Sequence, residues 1–379
     1  MHRETVVIGV DIGGTKIKAG AVEMGPGHVS ARVVVSKEIA TPRMPPAAFY
    51  DAVAALVRDV RTKAEAAGRV ILPLVAVAHP GRFLSDGVLA RGTTPNLGRA
   101  PGEFDGWCPA RELGHRLSGT VIAENDAVAQ MRFGVDALLG DSAIRPHLLG
   151  ETLVYLGPGT GMGGGVARVS SRGEVTIVTD GHFFDMQLPG YGGGTLRAEE
   201  VFTGPAIARD IERRNTRLSS PIEPATAGEI DRLLMSSEGS AEHRAEAGRI
   251  ADAHGEILAC LMTAIHAGQI TKVRLETARD GHVVRHLDEP DRAWSANDRA
   301  LVRGASRFIL GGSVGCSAGL GGRLRRRALE VLRQRGLDKI TIFQIPVVSA
   351  DAGLLGAVQG LPPARGHTVK RMPRPAGRG

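Results

Sequence analysis

Two stretches of this chain share one layout. Residues 6–23, VVIGVDIGGTKIKAGAVE, read as a strand, a glycine turn and a second strand. Residues 151–169, ETLVYLGPGTGMGGGVARV, repeat that order about 145 residues later. The repeat predicts an α/β chain built as two related lobes that face each other across a cleft. Each glycine turn presents backbone N–H groups with no side chain in the way, an arrangement that accepts phosphate oxygens. A single turn of this kind is equally an ordinary tight turn. Two in register, with a third glycine run at LGGSVG (310–315), point to a nucleotide site.

The remaining segments fill in two α/β units. After the first hairpin, residues 31–41 predict a third strand and 45–68 an amphipathic helix ending at Gly68. A buried strand at 71–81 ends on Pro80 and Gly81. Residues 87–98 predict a strand leading into a loop, 110–119 a short helix and 120–126 another strand. The second unit opens with a helix at 126–138. Beyond its hairpin it has a strand near 174–183, helices at 226–234 and 241–268, and a strand, glycine turn and helix from 307. A strand and a small helix close it at 341–358. The expected division is an N-terminal lobe of residues 1–122 and a C-terminal lobe of 123–364. Residues 272–304 read as a polar insertion with little order, and 365–379 as a disordered basic tail.

Composition excludes several classes. The chain has 379 residues, 42% hydrophobic and 23% charged, enough for two soluble domains with a large core. The net charge of +7 falls to about +2 without the five basic residues Arg365, Lys370, Arg371, Arg374 and Arg378 of the tail. A second basic cluster, Arg323 with Arg325, Arg326 and Arg327, alternates with apolar residues and predicts a solvated helix face. No helix-turn-helix, zinc finger or aromatic–basic platform accompanies these charges, so no nucleic-acid partner is expected. Three widely spaced cysteines, Cys108, Cys260 and Cys316, argue against a disulfide framework and fit a reducing cytoplasm. No signal segment or membrane span is read. The glycine turns match neither GxxxxGK[ST] nor a dinucleotide fingerprint, because a strand and not a helix follows GPGTGMGGG.

The motifs, taken in order, resemble those of the ROK family of sugar kinases, within the superfamily of two ribonuclease-H-like (actin-like ATPase) lobes. VIGVDIGGTKIKAGAV looks like the first phosphate motif. VAVAHPGRFLSDGVLARGTTPNLG is similar to the stretch before the catalytic segment, and ENDAVAQ (124–130) to that segment itself. LVYLGPGTGMGGGV resembles the second phosphate loop, EEVFTGPAIAR the stretch after the family's zinc knuckle, and FILGGSVG the adenosine motif. The resemblance spans about residues 6–358, the insertion excepted.

It implies an ATP- and Mg²⁺-dependent carbohydrate kinase acting on a hexose or amino sugar. Asp126 would be the general base that orients the sugar hydroxyl and takes its proton. Read blind, END is a helix N-cap before it is anything else; the surrounding motifs reverse that preference. Asn96, Asn125, His182 and Glu199 would complete the sugar site. Taken alone, His182 is a loop histidine and Glu199 a helix-face acid, and Glu200 is an alternative counterpart. Asp11 would meet Mg²⁺, directly or through its water shell, or else only cap its own turn. The amides of Gly13, Gly14, Thr15 and Lys16, and Gly159, Thr160 and Gly161 in the second loop, would meet phosphate. Gly311 and Gly312 would lie under the adenosine ring. A homodimer is also implied.

The family pattern breaks in one place. GHFFDMQLPGYGGGTLRAEE keeps His182 but has no cysteine after it, and a single histidine cannot hold structural zinc, so no zinc is expected. Packing of Phe183, Phe184 and Tyr191 would order the loop instead. Thr179 or Asp180 stands where the family has a sugar-binding glutamate, which implies an altered substrate. Two other readings stay open: a non-catalytic sugar sensor of the same fold, and a phosphotransferase acting on a non-sugar acceptor. The first phosphate motif begins at residue 6, which argues against the DNA-binding domain that repressors of this family carry ahead of it.

Overall fold

The computed structural model describes residues 4–24, 31–84, 86–94, 96–179, 183, 186, 188, 196–269, 296–345 and 351–361. His182, Asp180, Phe184, Asp185, Tyr191 and the tail lie outside them, as does all of the insertion before 296.

The first lobe contains β1 (Thr5–Ile12), β2 (Lys16–Met24), β3 (Ala31–Ala40), α1 (Pro46–Ala66), β4 (Val70–His79), α2 (Pro109–Leu117) and β5 (Thr120–Asn125). Its sheet has the order β3-β2-β1-β4-β5. β1, β2 and β3 pair antiparallel, while β4 is parallel to β1 and to β5. After α3 (Asp126–Gly140) come β6 (Thr152–Pro158), β7 (Met162–Val169) and β8 (Val175–Thr179). Helices α4 (Ala198–Val201), α5 (Gly204–Asn215), α6 (Ala227–Met235), α7 (Ala241–His266) and α8 (Ala296–Val302) follow. β9 (Arg307–Leu310), α9 (Gly312–Gly315), α10 (Leu320–Gln334), β10 (Thr341–Gln344) and α11 (Ala352–Gln359) complete the fold. The second sheet has the order β10-β9-β6-β7-β8. Its strands match the first sheet one for one in order and direction, so the two lobes are copies of one topology, as the repeated hairpins predict.

Strand alternation decides what covers each face. In β1, Val6, Ile8, Val10 and Ile12 pack with Phe49, Tyr50, Val53 and Val57 of α1. Val7, on the opposite face, joins Leu354, Leu355 and Val358 of α11. In β6, Val154 and Leu156 face the helices α5, α7 and α10. Leu153 and Tyr155 face Met131, Val135 and Leu138 of α3. Helix α3 therefore runs along the seam. It packs on the second sheet by those residues and against α11 through Ala129.

The structure departs from the sequence reading in four places. Strand β5 runs to Asn125 within the first sheet, past the expected division at 122, and α11 lies on that same sheet although it ends the second segment. Among the described residues, 87–98 form no strand, and a single bridge, Phe83 to Leu89, marks the place. The end of the expected insertion forms α8. The basic face of α10 is not simply solvated: Arg323 forks onto Asp252 of α7 with two hydrogen bonds of 2.7 Å, and Arg327 bonds Glu256 one turn further on. The pairing follows from two helices packing with acids and arginines at matched four-residue spacing.

Gly356 sits where α11 crosses α3, with the carbonyl of Ala129 where its side chain would be. Gly356→Ala should therefore cost about 1–3 kcal/mol or more. The expected observation is a lower urea midpoint with an unchanged m-value.

Candidate active site

The site begins with the parity of β1. Gly9 and Asp11 share the face of Val7, so Asp11 points toward α11. Because Gly9 has no side chain, α11 comes close; a methyl group at position 9 would stand 2.9 Å from Leu354. The Asp11 carboxylate then lies directly over Gly353, in the first turn of α11, where a methyl would stand 2.5 Å from Oδ2. Lys18 is the strand partner of Asp11 across the hairpin. Its ammonium reaches Asp351, just ahead of α11, at 2.5 Å, and both side chains are largely buried. This ion pair ties the first hairpin to the last helix.

Asp126 opens α3. Burial pushes its carboxyl up to about 6, opposed by the Ala127 N–H that it accepts at 2.8 Å. Burial pushes Asp11 higher, to about 7, and the negative charge of Asp126 adds to the rise while Lys16 and Lys18 oppose it. Asp11 thus feels the charge of Asp126, 115 residues away in sequence.

Asn125, not Asp126, is the N-cap. Its side-chain oxygen accepts the N–H groups of Ala127 at 3.0 Å and Val128 at 3.2 Å, and its amide donates to the Gly81 carbonyl at 2.8 Å. Capping by Asn125 leaves the Asp126 side chain available for chemistry and fixes the Pro80–Gly81 turn beside it. Gly81 has φ +100°, a left-handed conformation that favours glycine. Glu124, the first residue of the END segment, is engaged by Arg132 at 3.0 Å. His79, at the end of β4, is buried, and burial pulls it down to about 4. It stays neutral, in contact with the Tyr50 hydroxyl at 3.1 Å, as a core residue.

Both hairpin turns close on themselves. Gly13 N–H donates to the Lys16 carbonyl at 2.9 Å, and Gly159 N–H to Gly161 at 2.8 Å. Those two amides are committed to the turns, so Gly14 with Thr15, and Thr160 with Gly161, form the tips. Thr41 braces the first turn, its hydroxyl donating to Gly13 O at 2.6 Å. Lys16 points outward to Glu38 at 2.9 Å. Asn96 stands against the first tip, 2.9 Å from where a Gly14 methyl would be. The second hairpin leans on the start of α3, with Gly163 against Ala127.

Glu199 accepts the Met162 N–H at 3.1 Å and lies over Gly161, while Glu200 caps its own helix by accepting the Arg197 N–H at 2.9 Å. Gly312, at φ +68°, lies under the Pro158 carbonyl, and the space beside Gly311 is filled by the ring of Tyr155. Close packing on β6 thus already requires glycine at both positions. Ser313, next in the chain, faces Gly159. Phe183 is fully buried against Gly164.

The structure thus sets Asn96 against the first tip, places Asn125 and Asp126 at the start of α3 beside the second hairpin, turns Asp11 onto α11, which crosses α3 at Gly356, and bonds Glu199 to the second turn. His182 lies outside the described residues. Sequence reasoning missed Lys18, Asp351 and Gly353. The hairpin register alone places Lys18 beside Asp11; nothing in the sequence places Asp351 there.

Comparison with known proteins bears on the fold. No family model and no curated protein matches the sequence. Solved structures do match. A ROK hexokinase from Thermus thermophilus has a TM-score of 0.56 at 22% identity, over 93% of this chain and 97% of that one. A ROK family glucokinase from Streptomyces griseus, solved with glucose and AMPPNP, scores 0.53 at 20%, over 93% and 97%. A ROK family transcriptional regulator, homologous to the E. coli Mlc protein, scores 0.64 at 12%, over 94% and 77%.

The chain has the two-lobe ROK fold. In that fold the twin sheets carry the hairpin turns, and α3 and α11 cross between them. Among the described residues, no helix is long and apolar enough to cross a membrane, and no three His, Cys, Asp or Glu side chains cluster to hold a metal. Mg²⁺ bound alongside phosphates needs only one or two carboxylates. Asp11 fits such a role, because a cation would relieve both its burial and the charge of Asp126.

A testable consequence concerns pH. Asp11 holds its proton more tightly folded than unfolded, so between about pH 4 and pH 7 the folded state carries the extra proton. Its contribution to stability is present at low pH and is lost as pH rises through 7. Asp11→Asn should raise the melting temperature of the ligand-free protein at pH 8 by about 2 °C or more. Near pH 4 the gain should vanish.

Proposed function

We propose that this protein is a ROK-type sugar kinase, transferring the γ-phosphoryl group of ATP to a hydroxyl of a hexose or amino sugar. The observation that supports the reading is Asp126: a half-buried carboxylate at a helix start that meets the second glycine hairpin, its charge felt by Asp11 at the foot of the first.

Asp126 accepts a hydrogen bond from the sugar hydroxyl and holds its oxygen in line with the γ-phosphorus. As the new O–P bond forms and the bond to the ADP oxygen breaks, the hydroxyl proton passes to the carboxylate. A carboxyl held near 6 by burial is a better proton acceptor than an exposed one and is still largely ionised at neutral pH. Asn125 holds the segment rigid by its cap and its bond to Gly81. Asn96 and Asn125 are assigned to the sugar, as are, through the resemblance, His182 and Glu199. The amides of Gly14 and Thr15, and of Thr160 and Gly161, are assigned to phosphate. Mg²⁺ bound with ATP at Asp11 would neutralise phosphate charge. Closure of the lobes on the sugar would exclude water. The Streptomyces griseus glucokinase of the same fold holds glucose and AMPPNP, which supports a sugar and a nucleotide as the ligands here.

A sugar-binding sensor is the second reading, favoured by the regulator that shares this fold. A phosphotransferase with a non-sugar acceptor is the third. A panel of hexoses and amino sugars assayed for ADP release separates them. Turnover of one sugar is expected. Binding of a sugar with no turnover of any would favour the sensor, and ADP release only with a non-sugar alcohol the third reading. For the active sugar, Asp126→Asn should lower kcat by about 10²–10⁴-fold and change sugar affinity by less than about threefold.

A further inference from the structure

The second hairpin turn is braced from outside its own strands. Its two ends are Gly159 and Met162, and both are held by one short segment, residues 199–204. At one end the Glu199 carboxylate accepts the Met162 N–H at 3.1 Å. At the other the Gly204 N–H donates to the Gly159 carbonyl at 2.8 Å. Thr203 locks the segment between these points: its hydroxyl donates to the Glu199 carbonyl at 3.0 Å and caps α5 by accepting the Ala206 N–H at 3.4 Å. Thr203 is buried. The same Glu199 oxygen stands 3.1 Å from where a methyl on Gly161 would be, so the carboxylate also fixes how closely that turn can be approached. Thr41 gives the first hairpin a matching brace, its hydroxyl on Gly13 O and its N–H on Thr15 O.

We propose that Glu199 is a positioning residue for the phosphate donor: through the Met162 amide it holds the Thr160 tip in the shape that receives the donor's phosphates. This adds a donor-side role to the sugar-side one that the resemblance gives it. A charged acceptor suits the task, because a carboxylate binds an amide more strongly than a neutral group does and resists fraying of the turn. The donor half of the inference rests on the kinase reading. The loop half rests on the hydrogen bonds alone.

The test has two arms. Amide hydrogen exchange at Met162 reads the brace without any ligand. Calorimetric titration with Mg²⁺ and AMPPNP reads the donor. Glu199→Ala should speed Met162 exchange about tenfold or more and weaken AMPPNP by a similar factor, with exchange in the first hairpin unchanged. Glu199→Gln keeps an oxygen that accepts from Met162 and should stay within about threefold of the natural protein in both arms. Thr203→Val, which unhooks the segment at its other end, should also speed Met162 exchange. Unchanged Met162 exchange in Glu199→Ala would overturn the brace. Faster exchange with unchanged AMPPNP affinity would overturn the donor role and leave Glu199 to the sugar. If the natural protein binds no AMPPNP, the kinase reading and the donor half fall together, while the exchange arm still decides the brace.

Discussion

The architecture depends on how closely α11 lies against β1 and α3. Gly9 on the strand, and Gly353 and Gly356 on the helix, remove the side chains that would hold these elements apart. With the gap closed, the carboxylate of Asp11 is pressed onto the first turn of α11, and Ala129 of α3 meets the same helix one turn further along. Since α3 begins at Asp126, this packing also sets where the second carboxylate stands. Backbone contact of this kind tolerates little slack, because interiors are packed as densely as crystals.

Confining two like charges is unfavourable without a partner, and the structure answers with position more than with neutralisation. Lys18 lies across the hairpin from Asp11 but pairs with Asp351, whose negative charge raises Asp11 more than Lys18 lowers it, so the Asp11 carboxylate stays uncapped. Asp126 has main-chain amides, that of Ala127 and its own, as its partners. Such a site is poorly satisfied when alone and is improved by a cation and a hydrogen-bond donor. Ligand chemistry and folding energetics pull in opposite directions here, as they commonly do where function resides.

Much of the fold was legible because strand alternation and glycine turns leave marks within a few residues. VVIGVDIGG and LVYLGPGTG announce the paired sheets, and the helices α1, α3, α7 and α10 follow from spacing and stops. The segment at 87–98 misled, because its apolar residues alternate like a strand yet fold as turns around a single bridge. The candidate site was partly legible. Asp11, Asp126 and the glycine tips stand out by motif, whereas the division of labour within END did not. Whether Asn125 or Asp126 caps a helix depends on backbone angles at a single junction, which composition does not encode. Glu199 and Glu200, adjacent in sequence, are likewise distinguished only by the fold, one carboxylate turned toward Met162 and the other toward its own helix end.

The sequence by itself determined two copies of one α/β topology, the glycine turns at their centres and the acidic residues beside them. Those are local properties, set by the two-residue period of strands and by the conformations that glycine allows. Only the tertiary structure decided that Asp11 lies against α11 within reach of the charge of Asp126, that Lys18 is tied to Asp351, and that residues 199–204 brace the second turn. Each of these joins segments far apart in the chain. Their meeting is governed by which surfaces pack closest, and no stretch of sequence carries that information alone.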